Sequence, residues 1–182
     1  VALQRGRGVV LSAHLGDLDT PEAQHAFAAA LRDLPTLYAA TPTRVICDLH
    51  PDYAATRHAR RLGLPCTAVQ HHFAHIAAVR AEHAVPADEA VLGVAWDGTG
   101  YGLGGTVWGG EFLLTRGRTF TRFAHLRTFR LPGGEAAVRE PRRSALGLLY
   151  ELDPADESAG AWFPAAGWPL LRSALARGVQ AP

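Results

Sequence analysis

His71 and His75 stand four residues apart in Val69-Gln70-His71-His72-Phe73-Ala74-His75, at the head of an apolar, helix-like run. On a helix that spacing puts both imidazoles on one face, one turn apart. Two neutral imidazoles converging on one point are what a divalent metal needs. His72 lies about 100° further round the helix and is expected outside the ligand set, either beside it or exposed. Asp97 ends the next apolar run, Ala90 to Trp96, where the core fixes the backbone and a strand-end side chain faces a crevice. Two His and one Asp form a mixed nitrogen and oxygen set. That set suits iron(II), zinc or manganese better than calcium or magnesium. Each part also has a plainer reading. An HxxxH pair arises by chance, and Asp-Gly is a common turn dipeptide. The carboxylate after a strand is what strengthens the metal reading of the pair.

Asp97-Gly98-Thr99-Gly100-Tyr101-Gly102-Leu103-Gly104-Gly105 contains a formal GxGxxG match. A dinucleotide fingerprint needs a helix after it, but Thr106-Val107-Trp108-Gly109-Gly110-Glu111-Phe112 reads as a strand. The Rossmann reading is therefore rejected. Backbone N–H groups of Gly98, Thr99, Gly100 and Gly102 can still cradle a phosphate as a nest between two strands. The alternative is a hairpin turn, though one with more glycines than a hairpin needs. His50 follows a strand end and is left unexplained by the turn at Pro51-Asp52, so it is a candidate substrate contact. Arg130 and Arg139, around Leu131-Pro132-Gly133-Gly134, carry guanidinium groups suited to phosphate; a solvated basic face is the better explanation for any single one of them. Cys47 and Cys66 fall in apolar strands and are expected to be buried, inert thiols.

The elements that must position these groups follow from pattern. Gly8 to Leu15 reads as a strand. Thr20 caps a helix with Pro21 at its first position, kinked or ended near Leu34 by Pro35. Arg44 to Leu49 is a strand. Asp52 is expected to cap a helix from Tyr53 to Leu62, stopped by Gly63. Cys66 to Val69 is a strand, and the histidine helix runs from about Ala74 to His83. After a linker at Pro86 and Asp88, Ala90 to Trp96 is a buried strand and Asp97 to Gly105 a turn. Thr106 to Leu114 and Thr119 to Leu126 alternate as strands joined by Arg116-Gly117-Arg118. Arg127 to Gly134 is a loop, Pro141 to Leu152 a helix and Pro169 to Arg177 a last short helix. Helices and strands alternating in the first half, with a hairpin in the second, make an α/β or α+β protein of two lobes.

Composition narrows the class. The 182 residues suit one large domain or two small lobes, and 48% hydrophobic content supports a core. A net charge of +1 with no basic run argues against nucleic acid as partner. No apolar stretch is long enough to span a membrane and no signal segment is visible, so a cytoplasmic location is expected. Lys, Asn and Met are absent. There is thus no Walker A or Schiff-base lysine and no Cys-His-Asn triad. With no Met at its start, the chain is expected to be a piece of a longer protein or a processed one.

Six motifs in order now carry a resemblance. They are Ser12-Ala13-His14-Leu15-Gly16-Asp17-Leu18, Cys47-Asp48-Leu49-His50-Pro51-Asp52-Tyr53, Val69 to His75, Asp97 to Gly102, Trp108-Gly109-Gly110-Glu111-Phe112 and Leu131-Pro132-Gly133-Gly134. Together they closely resemble the HypF carbamoyltransferases of [NiFe]-hydrogenase maturation. The resemblance covers residues 8 to 150. It implies a partial acetate kinase, Hsp70 and actin-like (ASKHA) α/β fold, with mixed sheets flanked by helices and truncated at both ends. Residues 1–88 would be a first lobe bearing the histidine helix, and 89–182 the start of a second lobe.

The resemblance also implies His71, His75 and Asp97 as ligands of a divalent metal, iron or zinc, beside a nucleotide. Gly98, Thr99, Gly100 and Gly102 would lie near the phosphate of a carbamoyl-adenylate made from carbamoyl phosphate and ATP. The acceptor would be the C-terminal cysteine of a HypE-type partner, where dehydration yields cyanide, so this chain need not hold the nucleophile. A further Asp ligand and much of the adenine pocket would come from sequence beyond the chain. Two rival readings remain. One is an O-carbamoyltransferase acting on a small-molecule hydroxyl; the other is a non-catalytic metal- or nucleotide-binding fragment.

Overall fold

The computed structural model describes residues 1–179. It is a mixed α/β chain that divides into two compact units, Val1–His71 and the residues from His72 onward. In the first unit, β1 (Ala2–Arg5) and β2 (Gly8–Leu11) form an antiparallel hairpin. The sequence expectation of a strand reaching Leu15 is corrected here. Gly6, at φ 59°, turns the chain where an L side chain would be strained. α1 (Pro21–Leu37) starts at Thr20, whose Oγ1 accepts the Ala23 N–H at 3.2 Å. It runs past Pro35 rather than ending before it. Pro35 gives up its own N–H bond, and the last turn still closes around it through Tyr38 N–H to the Leu34 carbonyl.

β3 (Val45–Asp48) and β4 (Cys66–Val69) pair in parallel, as the intervening helix α2 (Ala54–Arg61) requires. Asp52 does not cap α2. The N-cap is Tyr53, without a side-chain bond, and the Asp52 N–H donates instead to His50 Nδ1 at 3.2 Å. Thr56, wholly buried, donates to the Asp48 carbonyl and fastens α2 to the end of β3.

The second unit is built on an antiparallel sheet in the order β5 (Val91–Tyr101), β6 (Val107–Arg116), β7 (Thr119–His125). Helix α3 (His71–Glu82) covers one face of it. Ile76 from the helix packs with Ala95, Trp108 and Leu113, and Leu113 is fully buried, which stabilises by about 1.5–3 kcal/mol. The contact is close because Gly93 has no side chain; a Cβ there would lie 2.5 Å from Ile76. Arg80, buried, pins the helix further by donating to Thr115 Oγ1 at 2.8 Å and to the carbonyls of Pro86 and Glu89. These contacts hold α3 against the sheet within the second unit.

Beyond the sheet come α4 (Glu135–Arg139), which the sequence reading left as unassigned chain, and α5 (Pro141–Leu152). A 3-10 turn at Ser158–Trp162 and α6 (Trp168–Arg177) follow. Leu146, Ala159, Phe163 and Leu175 form a separate core there. Among the described residues no helix is long and apolar enough to cross a membrane.

Candidate metal centre

Helix α3 opens at His71, three residues earlier than its expected start, so both histidines are helical and one turn apart. Asp97 reaches them from β5. On that strand Gly93 and Ala95 face α3 and are buried, and the two-residue period carries Asp97 to the same face. His71, His75 and Asp97 each offer one ligand atom, and these atoms lie within 4.8 Å of one another. His75 Nε2 is 3.4 Å from Asp97 Oδ2. Two imidazoles and a carboxylate at this spacing fit a borderline divalent ion such as iron(II) or zinc.

The expected glycine turn is corrected in position. β5 does not stop at Trp96 but continues to Tyr101, and its pairing shifts between Trp96↔Gly110 and Gly100↔Trp108. The irregularity holds Asp97, Gly98 and Thr99, and bulges of this kind re-aim a side chain beside a site. Gly109 makes room on the facing strand, since a Cβ there would sit 3.2 Å from the Asp97 carbonyl oxygen. The Gly98 N–H donates to Asp97 Oδ1 at 2.7 Å, and the Gly102 N–H to the Thr106 carbonyl at 2.8 Å. Those two groups are therefore spent within the chain. Gly102 is required by packing, because a Cβ would fall 2.2 Å from the Trp108 indole. A Cβ on Gly98 would meet no protein atom within 4 Å.

Sequence reasoning missed the residue that aims His71. Asp48, at the end of β3, places Oδ2 2.7 Å from His71 Nδ1, while its Oδ1 accepts the His50 N–H at 2.7 Å. A carboxylate on Nδ1 fixes the imidazole tautomer with its lone pair on Nε2, the nitrogen then suited to a metal. The signal that flagged Asp97, an Asp closing an apolar strand, was equally present in Val45-Ile46-Cys47-Asp48. His50 itself stacks on Tyr53 with centroids 4.1 Å apart.

The remaining candidates are placed elsewhere. Arg130 donates to the Leu175 carbonyl at 2.8 Å, and Arg139 pairs with Glu135 one turn away on exposed α4. Both guanidiniums thus have structural partners. His72, expected beside the ligands or exposed, is fully buried near Trp108. Its neighbour Glu111 is buried as well and takes a bidentate bond from Arg122, at 2.6 and 2.7 Å. Arg122 lies over the Trp108 ring.

Burial alone would push the Glu111 carboxyl up. The Arg122 hydrogen bonds and charge, the Gly109 N–H and nearby His72 outweigh it and hold the carboxyl below its ordinary range. A carboxyl lowered in the folded state stabilises fully above its unfolded pKa, and that contribution is lost as pH falls through the folded value. Glu111→Gln is expected to cost about 1.5–3 kcal/mol at neutral pH. It should also flatten the decline in urea stability below the ordinary carboxylate range; an unchanged acid limb would contradict this.

The chain can now be set beside known proteins. The family described as "HypF Kae1-like domain" matches residues 1–82, and "Carbamoyltransferase, Kae1-like Domain, second subdomain" matches residues 93–182. Carbamoyltransferase HypF of Synechocystis sp. is 46% identical over 165 residues, 89% of this chain and 21% of that protein. Carbamoyltransferase HypF2 of Cupriavidus necator is 42% identical, covering 100% of this chain and 23% of that protein. A crystal structure of full-length HypF in its phosphate- and nucleotide-bound form superposes with a TM-score of 0.85 at 34% identity. That match covers 99% of this chain and 24% of the solved one. The chain thus spans less than a quarter of the length of the two sequence relatives it matches.

Proposed function

The chain belongs to the HypF carbamoyltransferase family, and from that premise we propose that it supplies a divalent-metal site to carbamoyl transfer in [NiFe]-hydrogenase maturation. The observation that carries this reading is the convergence of His71, His75 and Asp97. In the proposed reaction a carbamoyl group passes from carbamoyl-adenylate, made from carbamoyl phosphate and ATP, to the C-terminal cysteine thiolate of a HypE-type partner. The fold in this reading is part of the acetate kinase, Hsp70 and actin-like class, and the parallel β3–α2–β4 unit supports it, although each described sheet is purely parallel or purely antiparallel rather than mixed as expected.

A divalent ion held by the three residues would supply Lewis-acid charge beside the adenylate phosphate. The chain's own groups do the positioning. Asp48 fixes the His71 tautomer, and the strand irregularity aims Asp97 at the helix. Gly98 and Thr99 lie in the same strand irregularity as Asp97, and the space over Gly98, whose own N–H is given to Asp97, leaves room for a phosphate there. His50, just after β3 and tied to Asp48 through its N–H, is the candidate substrate contact in this reading. Arg130 and Arg139 carry less of the proposal, given their internal partners. The acyl carbon is attacked by a thiolate from the partner, so no nucleophile is asked of this chain.

The test is to incubate the protein with carbamoyl-adenylate and a peptide carrying the partner's cysteine tail, then to weigh the peptide. Added carbamoyl mass on the thiol is expected. Nucleotide binding without transfer would favour a non-catalytic binding fragment, and carbamoylation of a small alcohol in preference to the thiol would favour an O-carbamoyltransferase.

A further inference from the structure

The two cysteines are not the buried thiols their apolar strands suggest. Cys66 is exposed, Cys47 is half-buried, and their sulfurs are 3.6 Å apart. The parallel register pairs Val45 with Cys66 and Cys47 with Ala68. Cys47 and Cys66 therefore share one face of the β3–β4 pair, offset by two residues. On strands ~4.8 Å apart that offset sets the Cα atoms roughly 8 Å apart. A disulfide spans at most about 7 Å between Cα atoms without backbone movement. The sulfurs are close enough to react, while the strands must shift for the bond to close. The residue after Cys47 is Asp48, whose two oxygens hold His71 and the His50 N–H at 2.7 Å each. A shift of about 1 Å there takes such a bond beyond useful length.

We propose that Cys47 and Cys66 are a reversible thiol–disulfide pair, closed by a peroxide, whose closure displaces Asp48 and weakens the metal site. The disulfide itself stands on the sulfur geometry; the effect on metal rests on the metal-site reading. Cys66, the exposed partner, attacks first. Its thiolate sulfur bonds one peroxide oxygen, the O–O bond breaks, and the departing hydroxide takes a proton to become water. The resulting Cys66 sulfenic acid is attacked by the Cys47 sulfur, and the S–O bond breaks. Hydroxide leaves with the Cys47 proton as a second water. The two sulfurs together lose two electrons and the peroxide gains them. Burial, and then the neighbouring Cys66, push the Cys47 thiol up against weaker opposing effects from Thr56 and Arg60, which suits it to wait protonated as the resolving thiol. Strain in the closed form makes it readily reducible, the property of labile rather than structural disulfides.

The experiment treats the purified protein with one equivalent of hydrogen peroxide, alkylates it and weighs it intact. A product lighter by two hydrogens, unalkylated at both cysteines and restored by dithiothreitol, is expected. Its zinc dissociation constant should be raised about tenfold over the reduced protein. Cys66→Ser should show neither change. Overoxidation of Cys66 with Cys47 still open to alkylation would overturn the pair, as would chain-to-chain dimers. A disulfide with unaltered zinc affinity would overturn the link to Asp48. If the reduced protein takes up no zinc, the metal reading fails and the coupling with it, while the mass still decides whether the pair closes.

Discussion

Replacing His71 and His75 together with alanine removes stoichiometric metal from the protein. The two imidazoles supply both nitrogen donors of a three-residue set, and Asp97 alone is a single carboxylate that water competes with readily. Wild type is expected to hold about one divalent ion per chain after exhaustive dialysis, and the double variant close to none, as counted by elemental analysis. The comparison is fair to the fold. The His75 side chain is 57% exposed and that of His71 27%, and the α3 packing residues Ile76 and Arg80 are untouched, so far-ultraviolet circular dichroism should hardly change. An unchanged metal content would rule out these ligands. Carbamoyl transfer to the tail peptide should fall with the metal.

Asp48→Ala is the second large effect. It leaves all three ligands in place and removes only the group that orients one of them. Losing a carboxylate partner from a metal-bound histidine typically weakens metal binding 10–100-fold, about 1.4–2.7 kcal/mol. The same change releases the His50 N–H from its acceptor, so the loop after β3 should loosen as well. Asp48→Asn keeps an oxygen that can accept from His71 Nδ1 and gives up the charge, so its affinity should fall between those of alanine and wild type. Competition against a chromophoric chelator measures all three proteins on one scale. If Asp48→Ala binds metal as tightly as wild type, His71 does not ligate through the nitrogen assigned here.

Most helices and strands were legible because they are amphipathic or strongly punctuated. Thr20-Pro21 opens a helix, Gly63 ends one, and Arg116-Gly117-Arg118 turns a hairpin, all by local chemistry. The misreadings share a cause. Pro35 breaks a helix by rule, yet α1 runs on to Leu37 and gives up the bond that residue 35 would have donated. Asp97-Gly98 reads as a turn by composition, but pairing with β6 across Trp108-Gly109-Gly110 draws the strand on to Tyr101. In both places a tertiary or end effect overrode a local preference.

The candidate ligands were legible for the same reason most elements were. HxxxH declares its geometry within one helix, and an Asp closing an apolar strand can be seen in the sequence. Asp48 carried that second signal too and went unread, because what it touches is set by the parallel β3–β4 pairing and not by neighbours in sequence. Glu111 and Arg122 were hidden similarly. An ion pair between a buried Glu and a half-buried Arg on two strands depends on register, and the Leu113↔Arg122 pairing lies beyond any motif.

The most direct test of the account is anomalous diffraction at the metal absorption edge from crystals of the protein grown with iron(II) or zinc. The account predicts one strong peak bounded by His71 Nε2, a nitrogen of His75 and a carboxylate oxygen of Asp97, at about 2.0–2.2 Å from each. A peak held by other residues, or none among these three at full metal occupancy of the protein, would contradict it.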